Sequence, residues 1–294
     1  MLAPDRAAAW PAPAGISAAA LVETAEGPCP AGELRPGALL RGADGLLRML
    51  RRVTRLPPAS ADDIVTIAPG AIADGVPARP LALLRGQPLL LAGAVWPAGF
   101  LSDGAGVTSG PAGLPCVRLE TDAHCAFLAE GLACVSDQPA LRPVPDSPLV
   151  ALRAAIGARA GRRYGPLEGV VEGLGTNGAV GWVRDAAQHG VPVLVALLRD
   201  GVAIAHGFAD IARPDLAMAG IGACAFRIEA LSPAHGTHLL ELRRAEDAAP
   251  LPGGMALLAP THGDPDIPAP PDDVADALAE LTRARLRRAP ATPG

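Results

Sequence analysis

At 294 residues, half of them apolar, the chain is long enough for two domains, and with aromatics at only 3% their cores must be built from Leu, Val, Ile and Ala. A formal charge of -5 with no basic stripe lacks the footprint of nucleic-acid binding, and no run approaches the roughly 20 apolar residues of a membrane-spanning helix. Five cysteines, an odd number without a C-x-x-C pair, suggest neither a zinc ribbon nor a disulfide framework, and point to a reducing compartment. All 25 cationic side chains are arginine, which together with the excess of Ala, Gly and Pro reads as a GC-rich bacterial coding bias. The first residues lack the basic and apolar regions of a secretory signal, so the expected location is cytoplasmic, or extracellular by a route without a conventional signal peptide.

Residues 1–14 are Ala/Pro-rich and read as a flexible N-terminus. From 15 to 137 the text is β-like: short apolar runs are cut by Gly, Pro and Asp, with hairpin signals at Arg41–Gly45, Leu91–Gly93 and Ala129–Gly131. Arg48, Arg51, Arg52 and Arg55 read as the solvated face of a strand pair. Residues 138–164 combine a Pro-rich linker with the short helical piece LVALRAAIGARAG. Strands resume over 165–254, with a second Asp-Gly hairpin at Asp200-Gly201 and a loop, Ala212–Gly222, holding at most one helical turn. Residues 255–294 form a Pro/Asp-rich tail. It closes on a helix with Val274, Leu278 and Leu281 on one face, acids at its start and arginines at its end, as the helix dipole favours.

Four patches in order carry a family resemblance: GISAAALVETAEG (Gly15–Gly27), ELRPGALLRGADG (Glu33–Gly45), IAPGAIADGVPARPL (Ile67–Leu81) and LETDAHCAFLAEGL (Leu119–Leu132). Together they span about two-fifths of the chain. They resemble a bacterial branch of the Hedgehog/intein (Hint) superfamily, which implies a compact β-disc and autoprocessing chemistry. In that chemistry a Cys or Ser at the first residue attacks the preceding carbonyl, and a Thr-x-x-His motif assists departure of the amide nitrogen. In the register of these patches the nucleophile position is Gly15, the threonine is Leu84 and the histidine is Gln87. Glycine has nothing to attack with, and glutamine does not titrate. Among the usual set only His124 remains. The resemblance therefore implies a degenerate Hint domain without splicing or self-cleavage, acting as a binding or scaffold module, and more a non-enzyme than an enzyme.

Other residues offer alternatives. Cys29 or Ser17 working with His124 would make the chain an autoprocessing protein. Cys29, between two prolines, otherwise reads as a loop cysteine. His124 and Cys125 are neighbours, so on an alternating strand they face opposite ways and form no dyad; Cys125 then packs as a small apolar residue. Cys134 stands near the family's C-terminal junction, but Val135, Ser136 and Asp137 follow it without the His-Asn pair that asparagine cyclisation requires. The H-x-x-H of His235 and His238 reads as a polar turn, and His262, Asp264 and Asp266 lack the EF-hand's glycine and terminal glutamate. No metal or cofactor is expected.

In the second half, GWVRD (Gly181–Asp185), LLRDGVAIAHGFAD (Leu197–Asp210) and ARPDLAMAGIGACAFRI (Ala212–Ile228) resemble a β-sandwich module appended to bacterial glycosyltransferases and surface proteins. The resemblance implies an immunoglobulin-like sandwich and leaves a protein or glycan as partner. Trp182 is the candidate for stacking on a sugar, against the alternative of a sandwich-core tryptophan. That makes a carbohydrate-binding accessory protein the third functional reading. Arg213 and Asp215 are expected to brace their own loop. The expected fold class is all-β: a Hint-like β-disc, an immunoglobulin-like β-sandwich and a C-terminal helix.

Overall fold

A computed structural model describes residues 13–136, 145–175, 177–230 and 237–258. The terminal helix expected near 272–288, the tail's His262, Asp264 and Asp266, and His235 lie outside the described residues.

The architecture is all-β, as composition and turn spacing indicate. Thirteen short strands make one curled antiparallel sheet. They are β1 (Ile16–Ser17), β2 (Leu21–Thr24), β3 (Gly27–Pro30), β4 (Leu39–Arg41), β5 (Leu47–Arg55), β6 (Ile64–Ile67), β7 (Leu81–Leu84), β8 (Pro88–Leu91), β9 (Ala94–Pro97), β10 (Val107–Ser109), β11 (Cys116–Thr121), β12 (Ala126–Ala129) and β13 (Leu132–Val135). Their spatial order is β10-β6-β7-β1-β11-β5-β4-β2-β12-β13-β8-β9, with β3 hanging from β2. β1 is thus central. Ile16 pairs with Leu83 on one side and Val117 on the other, which threads the opening patch between two later ones.

The turns form where the sequence predicts them. Ala92-Gly93 and Glu130-Gly131 hold φ of 50° and 77°, and 51° and 82°. Such paired left-handed residues match the twist of a two-residue hairpin, and glycine takes the second position without strain. At Arg41–Gly45, the Gly42 amide donates to Leu46 O and Asp44 Oδ1 caps the Leu46 amide. The core beneath is aliphatic, with Val22, Leu40, Leu50, Ile67, Leu81, Leu83 and Leu89 fully buried.

A 13-residue helix, α1 (Ser147–Arg159), follows. Asp146 Oδ1 accepts from the Leu149 amide and a proline stands in its first turn, two strong start signals. Seven further strands make two facing sheets. β14 (Leu167–Gly175), β15 (Gly178–Asp185) and β18 (Ala225–Glu229) form one; β16 (Val193–Arg199), β17 (Val202–Ala209), β19 (His238–Arg244) and β20 (Pro250–Leu258) form the other, in order β17-β16-β19-β20. Val183, Phe226 and Ile228 from the first interdigitate with Val195, Leu197 and Leu242 from the second, a sandwich core. A five-residue helix, α2 (Pro214–Met218), sits between β17 and β18. No helix among the described residues is long and apolar enough to cross a membrane.

A buried arginine joins the halves. Arg153 of α1 is fully buried; its Nη1 donates to Phe100 O (2.8 Å) and Ser102 O (2.6 Å), its Nη2 to Pro192 O (3.3 Å) and its Nε to Glu246 Oε1 (2.8 Å). The guanidinium lies 5.2 Å from the centre of the Phe208 ring, which itself packs on Phe100. Leu149, Ile156, Leu194 and Phe208 extend the first core across this junction.

Candidate functional site

The patches that carry the family resemblance converge. The Gly15 carbonyl accepts from the Leu84 amide at 2.9 Å, and the Gln87 amide turns back to Leu84 O at 2.8 Å. Gln87 is buried, and its Nε2 donates to Pro88 O (3.1 Å) and to Val135 O (3.0 Å) just beyond the closing patch. A cavity of about 160 Å³ opens here, lined among others by Ala14, Gln87, Arg118, Phe127, Val135 and Ser136. Arg118 Nε reaches the Ala14 carbonyl at 3.4 Å. The peptide bond between Ala14 and Gly15 thus lies beside the cavity at the start of an interior strand, with Arg118 donating to its carbonyl and the Leu84 amide donating to the next one.

No nucleophile accompanies that bond at its first residue. A Cβ added at Gly15 would lie 2.6 Å from Leu56 Cδ1, 3.0 Å from Val117 O and 3.2 Å from Leu84 Cδ1. Two leucine side chains fill the volume that a nucleophile's side chain would occupy. Gly15→Ala is therefore expected to destabilise by about 1–3 kcal/mol, the usual cost of overpacking a filled core, read as a lower urea midpoint at unchanged m-value. An unchanged midpoint would mean that the leucines yield freely. Ser17 is buried in β1, and its Oγ accepts from the Ala19 amide at 3.2 Å.

The second group of candidates lies in the turn between β11 and β12. His124 is exposed, whereas Cys125 is buried. These two residues occupy the turn itself and not an alternating strand; its course sends one outward and the other inward. Asp122 is tied to β5, with its Oδ1 accepting from the Met49 amide at 3.1 Å. The Cys125 sulfur sits 3.4 Å from Thr121 Oγ1, and its amide donates to Ser136 Oγ at 3.3 Å. Cys29 lies in β3, a strand and not a loop, with its sulfur 3.6 Å from Pro30 O. Its two flanking prolines are tolerated because β3 pairs only with β2, so one edge of the strand needs no amide hydrogens. Cys134 is fully buried in β13, and burial pushes its thiol up to about 12, far from any reactive thiolate at neutral pH.

Charged residues of the matching patches brace the backbone. Glu130, at the Glu130-Gly131 turn, is buried; its Oε1 accepts from the Leu21 amide (2.8 Å) and Arg79 Nη2 (2.6 Å). Asp185, closing the Gly-Trp-x-x-Asp match, is fully buried, taking the Gly165 and Ala187 amides and Arg244 Nη1 at 2.7 Å. Arg213 forks to Asp215 (2.7 Å) and to both oxygens of Glu172 on β14 (2.7 Å each), so it ties its loop to the sheet as well as to itself. These ion pairs push Arg213 up and pull Asp215 down. The sequence shows both acids within the quoted patches, but their roles as backbone acceptors appear only in the fold.

Trp182 sits on the outer face of its three-stranded sheet, opposite the side that Val183 gives to the sandwich core. It is half-buried, packed with Leu216 of α2, Ile221 and Cys224 of the following loop and Ala225 of β18. It therefore lies outside the sandwich core, with part of its ring left exposed. His238 Nδ1 contacts Asp200 Oδ2 at 2.6 Å beside the Asp200-Gly201 turn. Among the described residues no group of three or more His, Cys, Asp or Glu could hold a metal ion.

The chain matches no protein-family profile and no curated protein. Among solved structures it is similar to the gp41-1 intein, at 12% identity and a TM-score of 0.34, over 42% of this chain and 98% of that one. It is also similar to the MchDnaB-1 intein, at 17% identity and a TM-score of 0.31, over 42% of this chain and 99% of that one.

Proposed function

We propose that this chain is a degenerate Hint-type protein, of the bacterial branch that its sequence patches resemble, and that it performs no acyl shift but serves as a binding or scaffold module. The observation that carries this reading is the filled space at Gly15. A working site needs a nucleophile in line with the Ala14 carbonyl and an acid near the departing nitrogen. Here Leu56 and Leu84 crowd the first position. At the second, Gln87 spends its amide hydrogens on Pro88 O and Val135 O. The same hydrogen bonds tie the start of β8 to the end of β13 beside the cavity, a structural use of the Gln87 side chain.

Self-cleavage through Cys29 or Ser17 is disfavoured by their surroundings, since each makes a local backbone contact. Intact-mass measurement decides the matter. The expected result is a single species at 29.6 kDa, unchanged after incubation with dithiothreitol or hydroxylamine. Discrete fragments whose yield falls on Cys29→Ala or Ser17→Ala would replace this reading with autoprocessing.

A further inference from the structure

We infer that the hairpin of β4 and β5 is a docking face for an anionic lipid surface. This inference is independent of the reading of the cavity. A sheet strand with one face in the core is expected to alternate, apolar inward and polar outward. Here the inward residues behave: Leu40 and Leu50 are fully buried. The outward ones do not. Leu39 pairs with Met49 and Arg41 with Leu47 across the hairpin, so these four side chains share the outer face. Leu39 is 43% exposed and Leu47 44%, with Leu46 at the turn 56% exposed. Three exposed leucines thus stand on one hairpin.

The charge around them selects the partner. Residues 33–55 contain six arginines (Arg35, Arg41, Arg48, Arg51, Arg52, Arg55) against Glu33 and Asp44, a segment charge of +4 that is still +2 when Glu120 and Asp122, held against β5, are counted, in a chain of formal charge -5. Arg48 is paired with Asp44 and Arg52 loosely with Glu120. Arg35, Arg41, Arg51 and Arg55 are exposed and have no acidic partner among the described residues. Arginine stems lie along apolar surface while their heads reach anionic groups, and leucines entering the acyl boundary gain burial at the same depth. An acidic protein would use the arginines but offers no reason for the solvent-facing leucines at the turn. A bilayer with anionic headgroups uses both, and cationic side chains near such a surface each strengthen binding about five-fold.

The test is co-sedimentation of the full chain with phosphatidylcholine vesicles, with and without phosphatidylglycerol. Binding is expected only with phosphatidylglycerol, and it weakens as salt shortens the range of the charges. Reversing Arg41 and Arg51 to Glu should weaken it by about 25-fold or more, given about five-fold per cation lost. Leu46→Ser with Leu47→Ser should abolish most of it while leaving the thermal midpoint in place, both side chains being exposed. Absence of binding to the anionic vesicles at low salt overturns the inference. So does equal binding to pure phosphatidylcholine, or retention unchanged by the leucine variant. Binding to a poly-glutamate column with none to vesicles also overturns it, in favour of an acidic protein partner.

Discussion

Arg153→Met is expected to lower the unfolding free energy by about 3–5 kcal/mol, the cost of removing one partner from a buried ion pair. The side chain is fully buried and so is Glu246. Removing the guanidinium strands a carboxylate whose remaining cationic neighbour, Arg162, stands at 3.7 Å. It also strips hydrogen bonds from the carbonyls of Phe100, Ser102 and Pro192, and each buried acceptor left unmade costs about 1–3 kcal/mol before relaxation. Methionine keeps much of the volume, so the loss reports polar bonding and not a cavity. Arg153→Lys should recover only part of it, because a single ammonium cannot span three carbonyls and a carboxylate in one plane. Adding Glu246→Gln to Arg153→Met should restore some stability by neutralising the stranded charge. Urea unfolding checks all three; a loss below about 1 kcal/mol for Arg153→Met, the range of a surface pair, would refute the bridging role.

Glu130→Gln is the second large effect, and its signature is a pH profile. Burial pushes the Glu130 carboxyl up, but hydrogen bonds from Arg79 and the Leu21 amide, with the Arg79 charge, together pull it below the usual carboxylate range. A group whose pKa falls on folding stabilises the folded state fully above its unfolded-state value of about 4.3. That contribution fades as pH drops through the lower, folded value. Wild type should therefore lose stability on acidification below about pH 5, where unfolded-state glutamates begin to take up protons. Glu130→Gln should start lower at neutral pH, by about 1–3 kcal/mol for hydrogen bonds to a charged group, and show a shallower acid slope. Parallel acid profiles for the two proteins would assign the slope to other carboxyls.

Much of the local structure was legible because local rules made it. The X-Gly turns at Ala92, Glu130 and Asp200 and the strand at GWVRD follow from residue chemistry within a few positions, whereas α1 begins two residues before the LVALRAAIGARAG piece, inside the stretch read as linker. The all-β class followed from the same punctuation. Cys29 misled because two prolines usually mark a turn; that β3 is an edge strand depends on where the rest of the sheet stops, which no local window contains. Trp182 was ambiguous because alternation places it on one of two faces without saying which; the fold puts it on the outer one, partly covered by Leu216 and Ile221. Arg153 carried no signal at all: an arginine in an alanine-rich helix reads as solvated, and only the meeting of Phe100, Pro192 and Glu246 around it makes it buried. At the cavity, the sequence singled out Gly15, Leu84 and Gln87. What it could not supply was that Leu56, outside the quoted patches, packs directly over Gly15.

One further property follows from the cavity. Ala14 and Ser136 both line it, so the polypeptide enters the thirteen-stranded sheet and departs from it at a single doorway. A host protein could accept this stretch in a surface loop with its own ends barely separated, and a permuted chain could rejoin 14 to 136 through a short tether while opening elsewhere.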